Sequence, residues 1–132
     1  MPRSTLQPRD RELLKDPNFC HVSVPAPDGT IQSVVVWCDV EDDHVVLNSA
    51  EGRSWPENLR RSGQATVTVF NMDNPQEYLS IVGRLAEDTH EGANDVINGL
   101  SHKYTGGDYP FEPGQQRVTF RLAPERVIRR GS

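Results

Sequence analysis

Apolar residues in this chain recur mainly with a period of two, in short runs separated by turn-forming residues. Successive side chains of a strand point to opposite faces, so this alternation marks strands with one buried face and commits most of the chain to β-sheet. Cys20, Val22 and Val24 alternate with His21 and Ser23. Residues 31–40 form a longer run and residues 44–48 a third. Residues 65–70, 78–85 and 117–122 supply three more, the last with Val118, Phe120 and Leu122 in step. Between them lie Pro25-Ala26-Pro27-Asp28-Gly29, Glu41-Asp42-Asp43 and Asn71-Met72-Asp73-Asn74-Pro75, where proline fixes φ and Asp-Gly tolerates positive φ. The first three strands, joined by short turns, predict an antiparallel meander. In the fifth, Leu79, Ile81 and Leu85 share a face with Gly83, which marks a bulge or a close backbone approach.

Three segments depart from this period. The first fifteen residues predict a short helix capped by Asp10, packed down by Leu13 and Leu14 and limited by Pro17. Residues 54–63 predict a helix of about two turns: Ser54 and Glu57 have capping-box spacing, Pro56 lies in the first turn and Gly63 stops it. Residues 89–104 carry Ala93, Val96, Ile97, Leu100 and Tyr104 at spacings of three and four, a helical stripe ended by Gly106-Gly107. Six strands with inserted helices suit a small closed or nearly closed barrel, because closure removes exposed edges.

At 132 residues the chain fits one domain and leaves no room for a separate substrate domain. A site for a large cofactor would be shallow, or completed by a second subunit. The net charge of -5 argues against nucleic acid as a partner, since phosphate neutralisation drives such binding. No apolar run approaches the roughly 20 residues that span a bilayer. The opening Met1-Pro2-Arg3-Ser4 is polar and charged, unlike a signal peptide, so a cytoplasmic location is expected. Cys20 and Cys38 sit in apolar runs and read as small buried hydrophobes. His21, His44, His90 and His102 lack metal-ligand spacing, and no metal site is expected. There is no nucleophile elbow, recognisable catalytic triad or phosphate-binding glycine loop, so no protein residue is assigned a catalytic role.

The informative stretch is residues 48–61. A strand ends in Asn48-Ser49-Ala50, then come Gly52-Arg53 and the start of a helix at Ser54-Trp55-Pro56. Backbone N–H groups and the helix dipole favour an anion there, and Arg53 offers a bidentate partner for phosphate. On the residues alone a capped surface helix with solvated arginines is the simpler reading, and the anion site its alternative. Trp55 likewise reads first as a packing residue and second as a wall for a planar ligand.

Further pieces stand in order around this stretch. They are Asp28-Gly29 with Gln32-Ser33 and Val36-Trp37; Asn58-Leu59-Arg60-Arg61 after Gly52-Arg53; Asn74-Pro75 with Tyr78 and Gly83-Arg84; and Lys103-Tyr104, Tyr109-Pro110-Phe111, Arg117-Val118 and Pro124-Glu125-Arg126-Val127. Together, over nearly the whole chain, they resemble the pyridoxamine-phosphate-oxidase-like split β-barrel superfamily, and within it the deazaflavin-dependent oxidoreductases. The resemblance implies a mainly β fold, a six-stranded split β-barrel, and a homodimer with two equivalent cofactor sites at the subunit interface. It implies coenzyme F420 as cofactor, with FMN as the alternative. Gln32, Val34, Val36 and Trp37, with Asn48, Ser49, Ala50, Arg53, Trp55 and Asn58, would flank the cofactor ring and its phosphate-bearing tail. Tyr78 and Tyr109 are less direct candidates, reaching the site from the partner subunit. One departure stands out: many relatives carry a Lys where this chain has Trp55-Pro56, and that Lys helps hold the cofactor phosphate.

The function this implies is an F420H2-dependent reductase that passes a hydride to an electron-poor organic substrate such as a conjugated carbonyl. In such enzymes the cofactor carries the reaction and the protein binds and orients. The alternatives are an FMN-dependent oxidase or reductase of the pyridoxamine phosphate oxidase type, and a cofactor-binding protein without turnover. An oligonucleotide-binding barrel is disfavoured by net acidity and by the lack of aromatics interleaved with basic residues on the strands.

Overall fold

A computed structural model describes residues 5–131; residues 1–4, which include the polar opening segment, and Ser132 lie outside the described residues. In chain order the elements are helix α1 (Pro8–Lys15), strands β1 (Cys20–Pro25), β2 (Ile31–Val36), β3 (Cys38–Glu41) and β4 (His44–Ala50), helix α2 (Ser54–Ser62), strands β5 (Gln64–Asn71) and β6 (Asn74–Thr89), helix α3 (Ala93–Thr105) and strand β7 (Arg117–Arg130). The strands form one sheet in the order β2-β1-β5-β6-β7-β4-β3, antiparallel throughout.

Seven strands stand where six were expected, because the run 31–40 breaks at Trp37. Its first half pairs with β1, Val34 opposite Val22, and its second half with β4, Cys38 opposite Leu47. The expected meander is therefore a corner. β2 and β3 are the two edges of the sheet, yet Trp37 alone separates them in sequence. The sheet curls until its edges come together at that residue.

β6 and β7 run well past the apolar stretches that announced them, to 16 and 14 residues. They pair with each other from Tyr78 opposite Arg130 to Thr89 opposite Thr119, so backbone ladder bonds extend them where side-chain burial gives no period. This is why α3 begins at Ala93 rather than at Thr89. Register shifts interrupt the ladder at Val82/Gly83, opposite Pro124, where a residue without an N–H is tolerated. A Cβ on Gly83 would lie 3.0 Å from Leu122 Cβ, so the glycine marks both the bulge and the close approach expected of it.

The helix boundaries differ in their caps. Asp10 is the third residue of α1 and not its cap; it accepts the Gln7 N–H at 2.7 Å and binds Arg129 of β7 at 2.7 Å. Leu13 and Leu14 are buried, and the helix ends before Pro17 as expected. In α2 the residue at the cap is Arg53, and no side chain caps the helix. Ser54 Oγ instead accepts an N–H from Gln32 at 2.7 Å, and Glu57 pairs with Arg60. Gly63 closes α2 at φ 74°, donating to the Leu59 carbonyl, as the sequence predicts.

The core fills the inside of the curl with Val22, Val24, Leu47, Trp55, Leu59, Val67, Val69, Leu79, Ile81, Phe120 and Leu122. Cys20 and Cys38 join it as fully buried free thiols. Burying each large side chain contributes about 1.5–3 kcal/mol. β4 is buried on both faces: Val45 and Leu47 face the core, while Asn48 reaches α3 through the Ala93 carbonyl. No helix among the described residues is long and apolar enough to cross a membrane.

Candidate functional site

The corner at Trp37 sets the site. Trp37 stacks on Tyr104 of α3, with ring centroids 5.4 Å apart and planes 8° from parallel. Phe19 stacks on the same tyrosine at 5.9 Å. The Tyr104 hydroxyl donates to the Asn18 carbonyl at 2.6 Å and accepts the Cys38 N–H at 3.2 Å, while the Lys103 ammonium donates to the carbonyls of Leu14 and Cys38. Burial lowers the Lys103 pKa and raises that of Tyr104. These bonds fix the Tyr104 ring on which the Trp37 indole stacks.

Beside it opens a cleft of about 230 Å³. Val35, Val36 and Trp37 form one wall, Ile97 and Leu100 of α3 another. Asn48, Arg53 and Tyr109 bring polar atoms to it, and Phe19 completes the rim. Five of the residues singled out from the sequence thus meet: Val36, Trp37, Asn48, Arg53 and Tyr109.

Arg53 is exposed, and no hydrogen bond or ion pair engages it among the described residues. Its neighbours in the basic stretch are committed elsewhere. Arg60 binds Glu51 at 2.7 Å, Asp88 at 2.7 Å and Glu57 at 2.9 Å, while Arg61 binds Asn58 and the Pro25 carbonyl. The Arg60 contacts, with His90 at 2.5 Å, hold the Glu51 carboxyl well below its ordinary value, at about 2. This clamp pins the turn that carries Arg53 to the end of β6.

Asn48 is buried and fully engaged. Its amide donates to the Ala93 carbonyl at 3.0 Å and to Thr119 Oγ1 at 3.1 Å, and its oxygen accepts from Arg117 Nε at 3.0 Å. Arg117 in turn donates to the Tyr109 hydroxyl at 3.1 Å and lies over that ring at 5.0 Å. Burial pushes the Arg117 pKa down from its ordinary value, and the nearby Arg53 charge pushes the same way.

The other candidates lie apart from the cleft. Gln32 and Asn58 bond to each other at 2.8 Å beside the start of α2. Val34 packs against the core, as does Trp55, whose ring is 5.7 Å from that of Phe120. Trp55 therefore follows its packing reading. Ser49 is fully buried and its hydroxyl lacks a hydrogen-bond partner, and Ala50 is buried opposite Arg117. Tyr78 sits opposite Arg130, at the other end of β7 from Arg117. Sequence reasoning placed Val35 only within the flanking strand 31–37 and did not assign Phe19, Ile97, Leu100 or Arg117 to the site. Ile97 and Leu100 were visible only as helix stripe, and Arg117 as the first residue of a strand and part of the family resemblance, without a role at the site.

No family model matches the chain, and no curated protein matches it. Solved structures do share its fold. An F420 reductase superimposes with a TM-score of 0.80 at 21% identity, covering 97% of this chain and 98% of that one. An FAD-binding protein from Mesorhizobium loti gives 0.67 at 23% identity over the whole of both chains. A candidate pyridoxamine 5'-phosphate oxidase from Listeria innocua gives 0.66 at 17% identity, covering 89% and 92%. The chain has the fold of the pyridoxamine-phosphate-oxidase-like split barrels.

Proposed function

We propose that this protein is an F420H2-dependent reductase acting on electron-poor organic substrates, as a homodimer in the cytoplasm. The observation that carries the reading is the meeting of an aromatic and aliphatic cleft with an uncommitted arginine at the uncapped start of a helix. The residues fit such a cofactor. Trp37, Val36 and the α3 side chains offer apolar surface to a planar ring. Arg53 and the free N–H groups of α2 offer a phosphate its charge and its donors. When bound, the reduced deazaflavin supplies a hydride; the protein's part is to orient the ring and keep water from it. A cleft of about 230 Å³ falls below the roughly 300–1,000 Å³ that encloses a drug-sized ligand. A second protomer would complete it, and Tyr78, remote from the cleft in its own chain, is a residue the partner would bring.

FMN is the second reading, favoured by the likeness to the FAD-binding protein and the candidate oxidase. The absence of a lysine at Trp55 leaves Arg53 as the one side-chain cation on the cleft wall, a weaker hold for a compact phosphate. Oxidation of reduced F420, followed by absorbance with a panel of conjugated carbonyl compounds, tests the reading. Substrate-dependent oxidation is expected; tight binding with no turnover across the panel would point to a carrier instead.

A further inference from the structure

Arg117 is the one buried arginine among the described residues, 4% exposed, and no carboxylate meets it. Arg60, Arg121 and Arg129 each bind at least one carboxylate. A guanidinium taken out of water among neutral partners is costly, so fold stability alone does not explain its place. Its two shortest bonds go to residues of the Trp37 cleft. Nε donates to Asn48 Oδ1 at 3.0 Å and Nη1 to the Tyr109 hydroxyl at 3.1 Å, and both residues line that cleft. A third bond, to Gln115 Oε1, is 3.4 Å long.

Those two bonds decide what the cleft offers a ligand. Asn48 Oδ1 and the Tyr109 oxygen are the only side-chain acceptors among its lining residues, and Arg117 engages both. The Arg53 guanidinium and the Trp37 indole N–H can only donate. Arg117 has no acceptor of its own, so the Tyr109 hydroxyl proton points away from it, and no acceptor among the described residues takes that proton. A cation donating to the phenol oxygen also polarises the O–H and strengthens it as a donor. Tyr109 belongs to residues 106–116, which form no helix or strand, yet it is held on every side. Its backbone N–H donates to Asn98 Oδ1 at 2.8 Å, its ring lies 5.0 Å from the guanidinium, and Phe111 packs edge-on at 5.2 Å.

We propose that Arg117 is a positioning residue that makes the Trp37 cleft specific for ligands with a carbonyl or oxyanion, whose oxygen accepts a hydrogen bond from the Tyr109 hydroxyl. The inference rests on the proposed function only in taking this cleft as the ligand site. A fixed donor beside a buried positive charge stabilises negative charge on such an oxygen far better than a donor in water does. The oxygen belongs either to the cofactor ring or to the conjugated carbonyl of the substrate.

The probe is 4-nitrophenol, a planar ring with one oxyanion, titrated into the protein without added cofactor while its absorbance is followed across pH. The phenolate should bind roughly tenfold or more tighter than the phenol. Tyr109→Phe keeps the ring beside the guanidinium and should remove roughly tenfold of that preference. Arg117→Lys keeps the charge but loses the planar fork, and should remove a similar factor, with little further loss when the two are combined. Arg53→Gln should leave the Tyr109 effect unchanged. The proposal is overturned if the phenolate is not preferred, or if either Tyr109→Phe or folded Arg117→Lys leaves the preference intact. Should Arg117→Lys not fold, the Arg117 side-chain N–H resonances decide: they shift with phenolate in wild type and not in Tyr109→Phe, and an equal shift in both overturns the proposal. F420 separates the two sources of the oxygen. Tyr109→Phe weakens F420 if the oxygen is the cofactor's, and lowers kcat at unchanged F420 affinity if it is the substrate's. A phenolate preference lost in Tyr109→Phe, in a protein that does not bind F420, would sustain this inference and remove the reductase; F420 binding without a phenolate preference would do the reverse.

Discussion

Arg53 and Arg117 lie close enough for one charge to act on the other, yet their surroundings differ completely. Arg117 is buried and tied by three hydrogen bonds, so its geometry is set before any ligand arrives. Arg53 is exposed and uncommitted, so its removal disturbs nothing in the fold. Losing a charge-assisted hydrogen bond costs about 1.5–3 kcal/mol, or one to two decades in affinity. Arg53→Ala should weaken F420 by that amount and leave the Tm unchanged. Unchanged affinity would place the phosphate elsewhere, and a collapsed Tm would make Arg53 structural. The sequence pointed to Arg53 because a glycine, a cation and a helix start stand side by side in the chain. Arg117 gave no such signal, because its missing counter-ion is a fact of three-dimensional packing. Trp55 illustrates the opposite case, since burial against Phe120 settles a choice that spacing left open.

Strands were legible where one face is buried and the other wet, as in β1, β5 and the middle of β6, because burial then writes a period of two. They were not legible at Trp37, where alternation continues across a change of partner, nor at the ends of β6 and β7, where backbone pairing alone extends the ladder. Helix α2 was placed within a residue, but its capping box was not formed, since Ser54 and Glu57 found partners in β2 and within the helix. Besides the buried Trp55 and Leu59, Arg60 ties α2 to Glu51 in the preceding turn and to Asp88 of β6. Because folding depresses the Glu51 pKa from 4.5 to about 2, its stabilising contribution is complete above 4.5 and is lost as pH falls toward 2. Glu51→Gln should therefore destabilise the protein by about 1–2 kcal/mol at pH 7, with the difference from wild type shrinking between pH 4.5 and 2. Denaturant unfolding of both proteins across that range checks this. A difference independent of pH would mean that Glu51 acts by packing and not by charge.

At the scale of the whole molecule, the curl leaves a cleft of about 230 Å³, smaller than the proposed cofactor requires, and an outer surface with several large apolar side chains in the open. Ile31 is 64% and Val35 59% exposed on edge strand β2, and Val35 lines the cleft. A second copy seated there would cover both and complete the site, and sedimentation at micromolar concentration should give a homodimer. A monomer that binds cofactor tightly would refute that arrangement. Fold class was readable from periodicity and turn chemistry, and chain length together with the family resemblance already predicted a second subunit; the cleft volume is in keeping with that expectation. The central claim is that this cleft is built for the deazaflavin. The most direct test is equilibrium titration by fluorescence, with F420 and FMN measured separately on the same protein. F420 is expected to bind more tightly; FMN binding of equal or greater affinity would overturn the assignment.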